Sequence, residues 1–419
     1  MTAEVQSNMH SRSAPLPRIS VITPSFNHGR FLAAAMDSVL SQNYPGLEYI
    51  VMDGGSKDGS PDIIRARAGK LAYWQSERDG GQANALNLGL SHATGDVIGW
   101  VNSDDLYMKG ALETVGRYFA EHPDVMLVYG DCLFINEHDR VLQTIKPGPF
   151  DPAKLAYRCY LMQMSVFFRR EMLERIGSFD TRFPYALDYD LWLRAGNTLR
   201  DNIAYLPQVL SCYRAHEQSQ SVRDVLPALF DAIAVRRKLV AQEPLPRWLA
   251  PISGDIFRAP LMQLLGAGTD AAAWPAVQEH LKKILGPEAF SQEAWDRLGQ
   301  FLTAHQPGDA ARTDGPALIT AVERLWIVAC GGIETSGHGE WQAKILLELG
   351  WQHMLARHVR RALSLFAQAC VRRPAYFGQL LRWRLVEGFV RASVGQGVFH
   401  MLRGIKRKAI DLFSPSLSG

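Results

Sequence analysis

The sequence predicts an α/β protein: a mostly parallel sheet covered by helices, followed by an all-α C-terminal region. Three observations carry this. Short apolar, β-branched runs alternate with amphipathic stretches from Arg18 to Tyr129, and that alternation builds parallel, helix-covered sheets. Strand signals fade after about Val222. Beyond that point helical stretches are separated by Pro/Gly breaks such as Pro244–Pro246, Gly286-Pro287 and Gly331-Gly332.

The elements follow in order. Residues 1–17 are polar and read as a flexible leader, without the apolar core of a secretory signal. Ile19–Thr23 reads as a strand, and His28–Gln42 as a helix with Phe31, Ala35 and Val39 on its apolar face. Tyr44-Pro45-Gly46 breaks it. Leu47–Met52 is the next strand. Ser60-Pro61-Asp62 combines an N-cap residue, a first-turn proline and an early acid, so a helix starts there. Strands are predicted over Leu71–Gln75, Val97–Val101 and Val125–Tyr129, and an apolar segment over Met164–Phe168 is left without a type. Helices are predicted over Gln82–Ser91, Lys109–Ala120, Arg170–Ile176 and Asp188–Ala195, and Phe134–Tyr160 reads as irregular.

This gives three regions: the leader 1–17, an α/β domain 18–224, and a helical domain 225–419. Within the last, residues 343–376 show the spacings of one tetratricopeptide-like hairpin. Residues 399–413 form a hydrophobic–basic tail suited to a membrane surface or to docking on its own domain.

The 419 residues are 47% hydrophobic and 21% charged, which excludes a disordered or collagen-like chain. No run of 18 apolar residues marks a membrane span. The five cysteines (Cys132, Cys159, Cys212, Cys330, Cys370) form no CxxC pair, which argues against a disulfide framework or zinc cage and fits the cytoplasm. Net charge is +3, but Trp351–Gly419 holds 12 Lys/Arg against 2 Asp/Glu, leaving 33 against 40 in the rest. The basic end suits peripheral contact with an anionic membrane or a plain solvated face; no nucleic-acid partner is expected.

Polar or acidic clusters stand where three strands end: Ser25-Phe26-Asn27, Asp53-Gly54-Gly55 and Asn102-Ser103-Asp104-Asp105. In parallel sheets, ligands bind beyond the carboxyl ends of the strands. Adjacent carboxylates repel, and a hard divalent ion, Mg²⁺ or Mn²⁺, is a natural compensator. Taken alone, Asp105 could instead cap the next helix, and Asp53 could serve ordinary turn chemistry. Asp188 and Asp190 stand two apart on a predicted helix, so they do not share a face. One can meet a cleft as a general base while the other pairs elsewhere. Neither GxxxxGK[ST] nor GxGxxG occurs, which speaks against P-loop and dinucleotide readings.

Together these stretches resemble family 2 of the inverting glycosyltransferases, which have the GT-A nucleotide-diphospho-sugar fold. The resemblance runs in order through Ser20-Val21-Ile22-Thr23-Pro24-Ser25-Phe26-Asn27, Val51-Met52-Asp53-Gly54-Gly55-Ser56-Lys57-Asp58-Gly59-Ser60 and Ser76-Glu77-Arg78-Asp79-Gly80-Gly81-Gln82-Ala83-Asn84. It continues with Gly95-Asp96-Val97-Ile98-Gly99-Trp100-Val101-Asn102-Ser103-Asp104-Asp105, Gly177-Ser178-Phe179-Asp180, Asp188-Tyr189-Asp190-Leu191-Trp192 and Tyr213-Arg214-Ala215-His216.

The resemblance implies that Pro24, Ser25, Phe26, Asn27, Asp53 and Asp79 hold the nucleotide, with Asp104 towards its ribose. Asp105 and His216 would hold a divalent cation, Mn²⁺ or Mg²⁺, and Asp188 would be the base, with Asp190 still open. Leu187 replaces the acid often found before the base, and Asn84 stands where many relatives have Asp. The Gln/Arg-x-x-Arg-Trp motif and membrane helices of processive synthases are not evident, which favours transfer of a single sugar. The implied donor is a nucleotide sugar, with UDP-sugars favoured. The implied acceptor is a saccharide or lipid-linked hydroxyl in cell-surface polysaccharide or glycolipid synthesis, at the cytoplasmic side of the membrane. Two rivals stand beside this reading. A sugar nucleotidyltransferase would carry a Gly-rich loop after the first strand, which Pro24–Asn27 does not supply. A non-catalytic scaffold would bind partners through its helical half.

Overall fold

The computed structural model describes residues 15–242, 244–249, 256 and 274–285. The chain divides into two compact units, Met1–Ala259 and Pro260–Gly419. In the first unit, nine strands form one sheet: β1 (Ile19–Ser25), β2 (Leu47–Asp53), β3 (Tyr73–Ser76), β4 (Val97–Trp100), β5 (Leu106–Tyr107), β6 (Leu127–Asn136), β7 (Val141–Ile145), β8 (Val166–Arg169) and β9 (Ile203–Ala215). Their order is β3-β2-β1-β4-β8-β6-β9-β5, with β7 paired to β6.

The expected helix-covered sheet is present, and its parallel part is β3-β2-β1-β4. The rest is mixed: β8 runs antiparallel to both β4 and β6, while β9 runs parallel to β6. β1 lies between β2 and β4, so the chain order reverses beside it. Such a switch point leaves a crevice past the strand ends. Register places Ser25 opposite Asp53 and Ile22 opposite Trp100, so the three polar clusters come to one edge.

The helices are α1 (Gly29–Leu40), α2 (Ser60–Arg65), α3 (Gln82–His92), α4 (Ala111–Glu121), α5 (Pro152–Tyr157), α6 (Glu171–Ile176), α7 (Leu187–Thr198), α8 (Gln220–Arg223) and α9 (Val225–Val240). α1 forms where its spacing predicts, burying Phe31, Leu32, Ala35, Met36 and Val39. Val21, Val51, Val97, Leu112, Val115 and Phe167 join them in the core, each such side chain contributing about 1.5–3 kcal/mol on burial. Gly99 is needed where β4 crosses its neighbours, since a Cβ there would lie 2.7 Å from Phe167 and 2.8 Å from the Tyr107 hydroxyl.

Leu16 packs on the core and the Pro17 carbonyl accepts a hydrogen bond from the Tyr44 hydroxyl at 2.6 Å. The first compact unit runs to Ala259, past the expected domain end at 224, and α9 is bonded into it. Asp231 accepts from the Tyr185 amide at 2.8 Å, and Arg236 donates to the Ala156 and Tyr157 carbonyls. The second unit contributes one described helix, α10 (Trp274–Leu285). Most of the leader, the hairpin 343–376 and the tail 399–413 lie outside the described residues. Among the described residues no helix is long and apolar enough to cross a membrane.

Candidate active site

A cleft of about 860 Å³ opens at the sheet edge. Pro24, Ser25 and Phe26 enter it from the end of β1, Gly54 from the end of β2, and Asn102, Ser103, Asp104 and Asp105 from beyond β4. Arg78 and Asp79 come from the loop before α3, and Asp188 from the first turn of α7.

On the nucleotide side, the Ser25 hydroxyl is buried and has no hydrogen-bond partner within the protein. Phe26 is 61% exposed, a large ring turned to solvent at the cleft mouth. Asn27 and Asp53 are not among the lining residues. Asn27 sits at φ 53° and braces two loops, its amide donating to Ser56 Oγ and its Oδ1 accepting from the Lys57 amide. The Asp53 carboxylate, 1% exposed, takes the Ser56 amide at 2.9 Å and the Ser56 and Ser76 hydroxyls at 2.5 and 2.7 Å. Asp53 thus braces the loop directly behind the cleft. Asp79 lines the cleft and accepts from the Gly81 amide at 2.8 Å.

The acid pair does not cap a helix; α4 starts after Gly110, which is left-handed at φ 79°. Instead Arg214, buried at the end of β9, fixes both residues. Its amide donates to Asp105 Oδ1 at 3.0 Å, and its guanidinium to the Asp104 carbonyl at 2.9 Å. Asn102 donates to the other Asp105 oxygen at 3.3 Å and to Gln163 at 3.1 Å, while accepting from Gln82 and Trp100. Burial, reinforced by the Asp104 charge, pushes the Asp105 carboxyl well above the usual carboxylate range, against the pull of those donors.

His216 meets Asp104 rather than Asp105: its Nε2 lies 3.0 Å from Asp104 Oδ2. His28 Nδ1 lies 4.0 Å from the same oxygen. In this structure the nearest carboxylate to His216 is that of Asp104. A carboxylate facing imidazole nitrogens suits a divalent cation such as Mn²⁺. Among the described residues no group of three or more His, Cys, Asp or Glu makes a complete cage. The donors present fit a cation that draws its remaining ligands from substrate phosphates, as hard cations in nucleotide sites do.

The two acids of α7 separate cleanly. Asp190 is 1% exposed and held by Arg194 at 2.8 Å and Lys238 at 2.7 Å. Asp188 faces the cleft. Its Oδ1 takes the Tyr189 amide at 2.7 Å and its Oδ2 faces the Cys159 thiol at 4.0 Å, and packed protein around it pushes its carboxyl up to about 6.

Sequence reasoning missed Arg214, Gln163, Gln82 and His28. Arg214 was legible in principle: it stands two residues before His216, and alternate residues along a strand end face the same side. Gln163 carried no signal, since its role depends on β8 lying beside β4.

The family model described as glycosyl transferase family 2 matches residues 20–177. An uncharacterized glycosyltransferase of Rickettsia typhi is 30% identical over 246 residues, which cover 54% of this chain and 74% of that protein. The chain belongs to glycosyl transferase family 2. Its mixed sheet and helical cover are the GT-A architecture expected of such a glycosyltransferase. A PGL/p-HBAD biosynthesis glycosyltransferase of Mycobacterium tuberculosis is 29% identical over 201 residues, 47% of this chain and 77% of that one. The crystal structure of S. aureus TarS 1-349 in complex with UDP-GlcNAc overlays at TM-score 0.49 with 17% identity, covering 84% of this chain and 90% of that one.

Proposed function

We propose that this glycosyltransferase moves one sugar from a nucleotide-diphospho-sugar, with UDP-sugars favoured, to an acceptor hydroxyl with inversion at the anomeric carbon. The observation that carries the reading is one shared cleft. Asp188 opens on the hollow that also receives the nucleotide-side loop Pro24–Phe26 and the acid loop Asn102–Asp105. In this reading Ser25 and Asp79 receive the nucleotide, and Phe26 covers it. Asp53 and Asn27 act one step back, holding the loops that do so.

Asp104 and His216, with His28 near, would hold a divalent cation whose charge stabilises the leaving diphosphate. Asp188 accepts the proton of the acceptor hydroxyl. That oxygen bonds to the anomeric carbon from the face opposite the diphosphate, whose bond to carbon breaks. The products are a β-glycoside, from an α-linked donor, and a nucleoside diphosphate. The acceptor is placed, as the family resemblance implies, in glycolipid or cell-surface polysaccharide synthesis.

A panel of nucleotide sugars, with product analysis, tests the reading. Release of a nucleoside diphosphate and an inverted anomeric coupling constant in the product are expected. Release of pyrophosphate, or full transfer by Asp188→Asn, would refute it.

A further inference from the structure

Beyond Asp188 the cleft changes character. The lining there comes from the 159–164 segment, from the start of α7 and the residues before it, and from α8 and α9; it includes the apolar Leu161, Met162, Met164, Tyr185, Leu187 and Leu229 beside the polar Gln163, Gln218, Gln220 and Arg223. Several polar groups of this wall are engaged inward, while Gln218 and Gln220 stand exposed beside it. Gln163 donates to the Trp100 carbonyl at 2.8 Å and accepts from Asn102 at 3.1 Å. Behind the wall, the Ala156 and Tyr157 carbonyls are taken by Arg236, and Ala156 also by the Tyr189 hydroxyl. The Tyr185 amide is taken by Asp231. Arg223, mostly exposed at this end of the cleft, is paired with Asp224 at 2.7 Å.

A bare sugar pressed on such a wall would lose water from its hydroxyls and find few partners. An alkyl or aryl group would gain about fourfold in affinity for each methylene buried. We propose that the acceptor carries an apolar body, alkyl or aryl, beside its reacting hydroxyl, and that this wall receives it. The proposal rests on the glycosyl-transfer reading of the same cleft.

The test uses the full chain and three probes: methyl, phenyl and octyl β-D-glucoside, the last below its micellar concentration. Saturation-transfer NMR reads binding without turnover. Phenyl or octyl protons should be saturated at least tenfold more strongly than the methyl group, roughly the gain from two buried methylenes. Which of the two responds separates an aryl from an alkyl acceptor. Met162 is half-buried, so Met162→Gln should keep the melting temperature while cutting that signal several-fold. Equal saturation of all three probes, or a signal indifferent to Met162→Gln, overturns the proposal. Nucleoside diphosphate release is followed in parallel. Release driven as well by methyl as by octyl or phenyl glucoside also overturns it, while leaving the glycosyltransferase reading intact. Apolar binding with no nucleoside diphosphate released from any donor supports the wall and refutes the transfer reading.

Discussion

The Lys238 ammonium lies 2.7 Å from the Asp190 carboxylate, tying α9 to the first turn of the helix that carries Asp188. The same ammonium reaches Asp180 at 2.9 Å, and Arg182 grips Asp180 as well. Burial alone would raise the Asp180 carboxyl; the Arg182 and Lys238 bonds outweigh it and hold it well below the usual carboxylate range. Asp190 is thus part of a charge network that braces the helix carrying Asp188, and in the proposed mechanism it is not the base. Asp190→Asn should lower stability by about 1–3 kcal/mol, because it strands cations that retain other partners. At a temperature where the variant is folded, nucleoside diphosphate release should persist. Thermal melts and rate assays on the same preparation check both halves.

Asp188→Asn should behave the opposite way. The folded protein holds the Asp188 carboxyl up at about 6, against 3.8 for an ordinary aspartate, chiefly through burial. Between those two values the folded state binds more protons than the unfolded one, so stability falls as pH rises from about 4 to 6. Above that window the ionised carboxylate is a standing cost on the order of 1–3 kcal/mol. Removing it should raise the melting temperature at neutral pH while transfer drops by about 10²–10⁴-fold, the range for a lost general base. In the unmutated enzyme, transfer should fall about tenfold per pH unit below 6, since only ionised Asp188 can take a proton. A flat profile across that range would remove Asp188 from the role.

The parallel half of the sheet was legible because strands buried on both faces read as continuous apolar runs. Ile19–Ser25 and Leu47–Asp53 are such runs, and their ends located the cleft. β9 was not legible. Its 13 residues alternate irregularly between buried and exposed and contain Pro207, so no period-two pattern stands out. β7 is largely exposed and β5 has two residues. The antiparallel pairing of β8 is a property of the tertiary fold and leaves no periodic mark. The acids were visible by type, but not by orientation. Spacing said that Asp188 and Asp190 face apart; only α9 decides which one faces the cleft. Asp53 was visible as an acid at a strand end; that Ser56 and Ser76 hold its carboxylate was not.

Ser25 offers a clean separation of binding from stability. Its buried hydroxyl has no partner in the protein, so Ser25→Ala removes no internal hydrogen bond. The melting temperature should stay constant or rise slightly. If the hydroxyl meets the nucleotide, affinity for UDP should weaken about tenfold, the worth of one hydrogen bond of about 1–1.5 kcal/mol. Calorimetric titration of UDP into both proteins reads this directly. Unchanged affinity would place the nucleotide elsewhere.

Asp104 and His216 should govern the response to cations. Their 3.0 Å contact brings a carboxylate oxygen and an imidazole nitrogen together, while Asp105 is held by Arg214 and Asn102. A ligand that binds only the folded state raises stability by about 2.7 kcal/mol at a hundred times its dissociation constant. Mn²⁺ together with UDP should therefore stabilise the protein more than the sum of either alone, because the phosphates complete the coordination. His216→Ala should abolish the Mn²⁺-dependent part of the thermal shift and leave the UDP-only part. Asp105→Asn should retain that Mn²⁺-dependent part, because its carboxylate oxygens are already engaged by protein donors. If Asp105→Asn removes the Mn²⁺ response and His216→Ala does not, the cation belongs with Asp105, and the arrangement inferred from the Asp104–His216 contact is wrong.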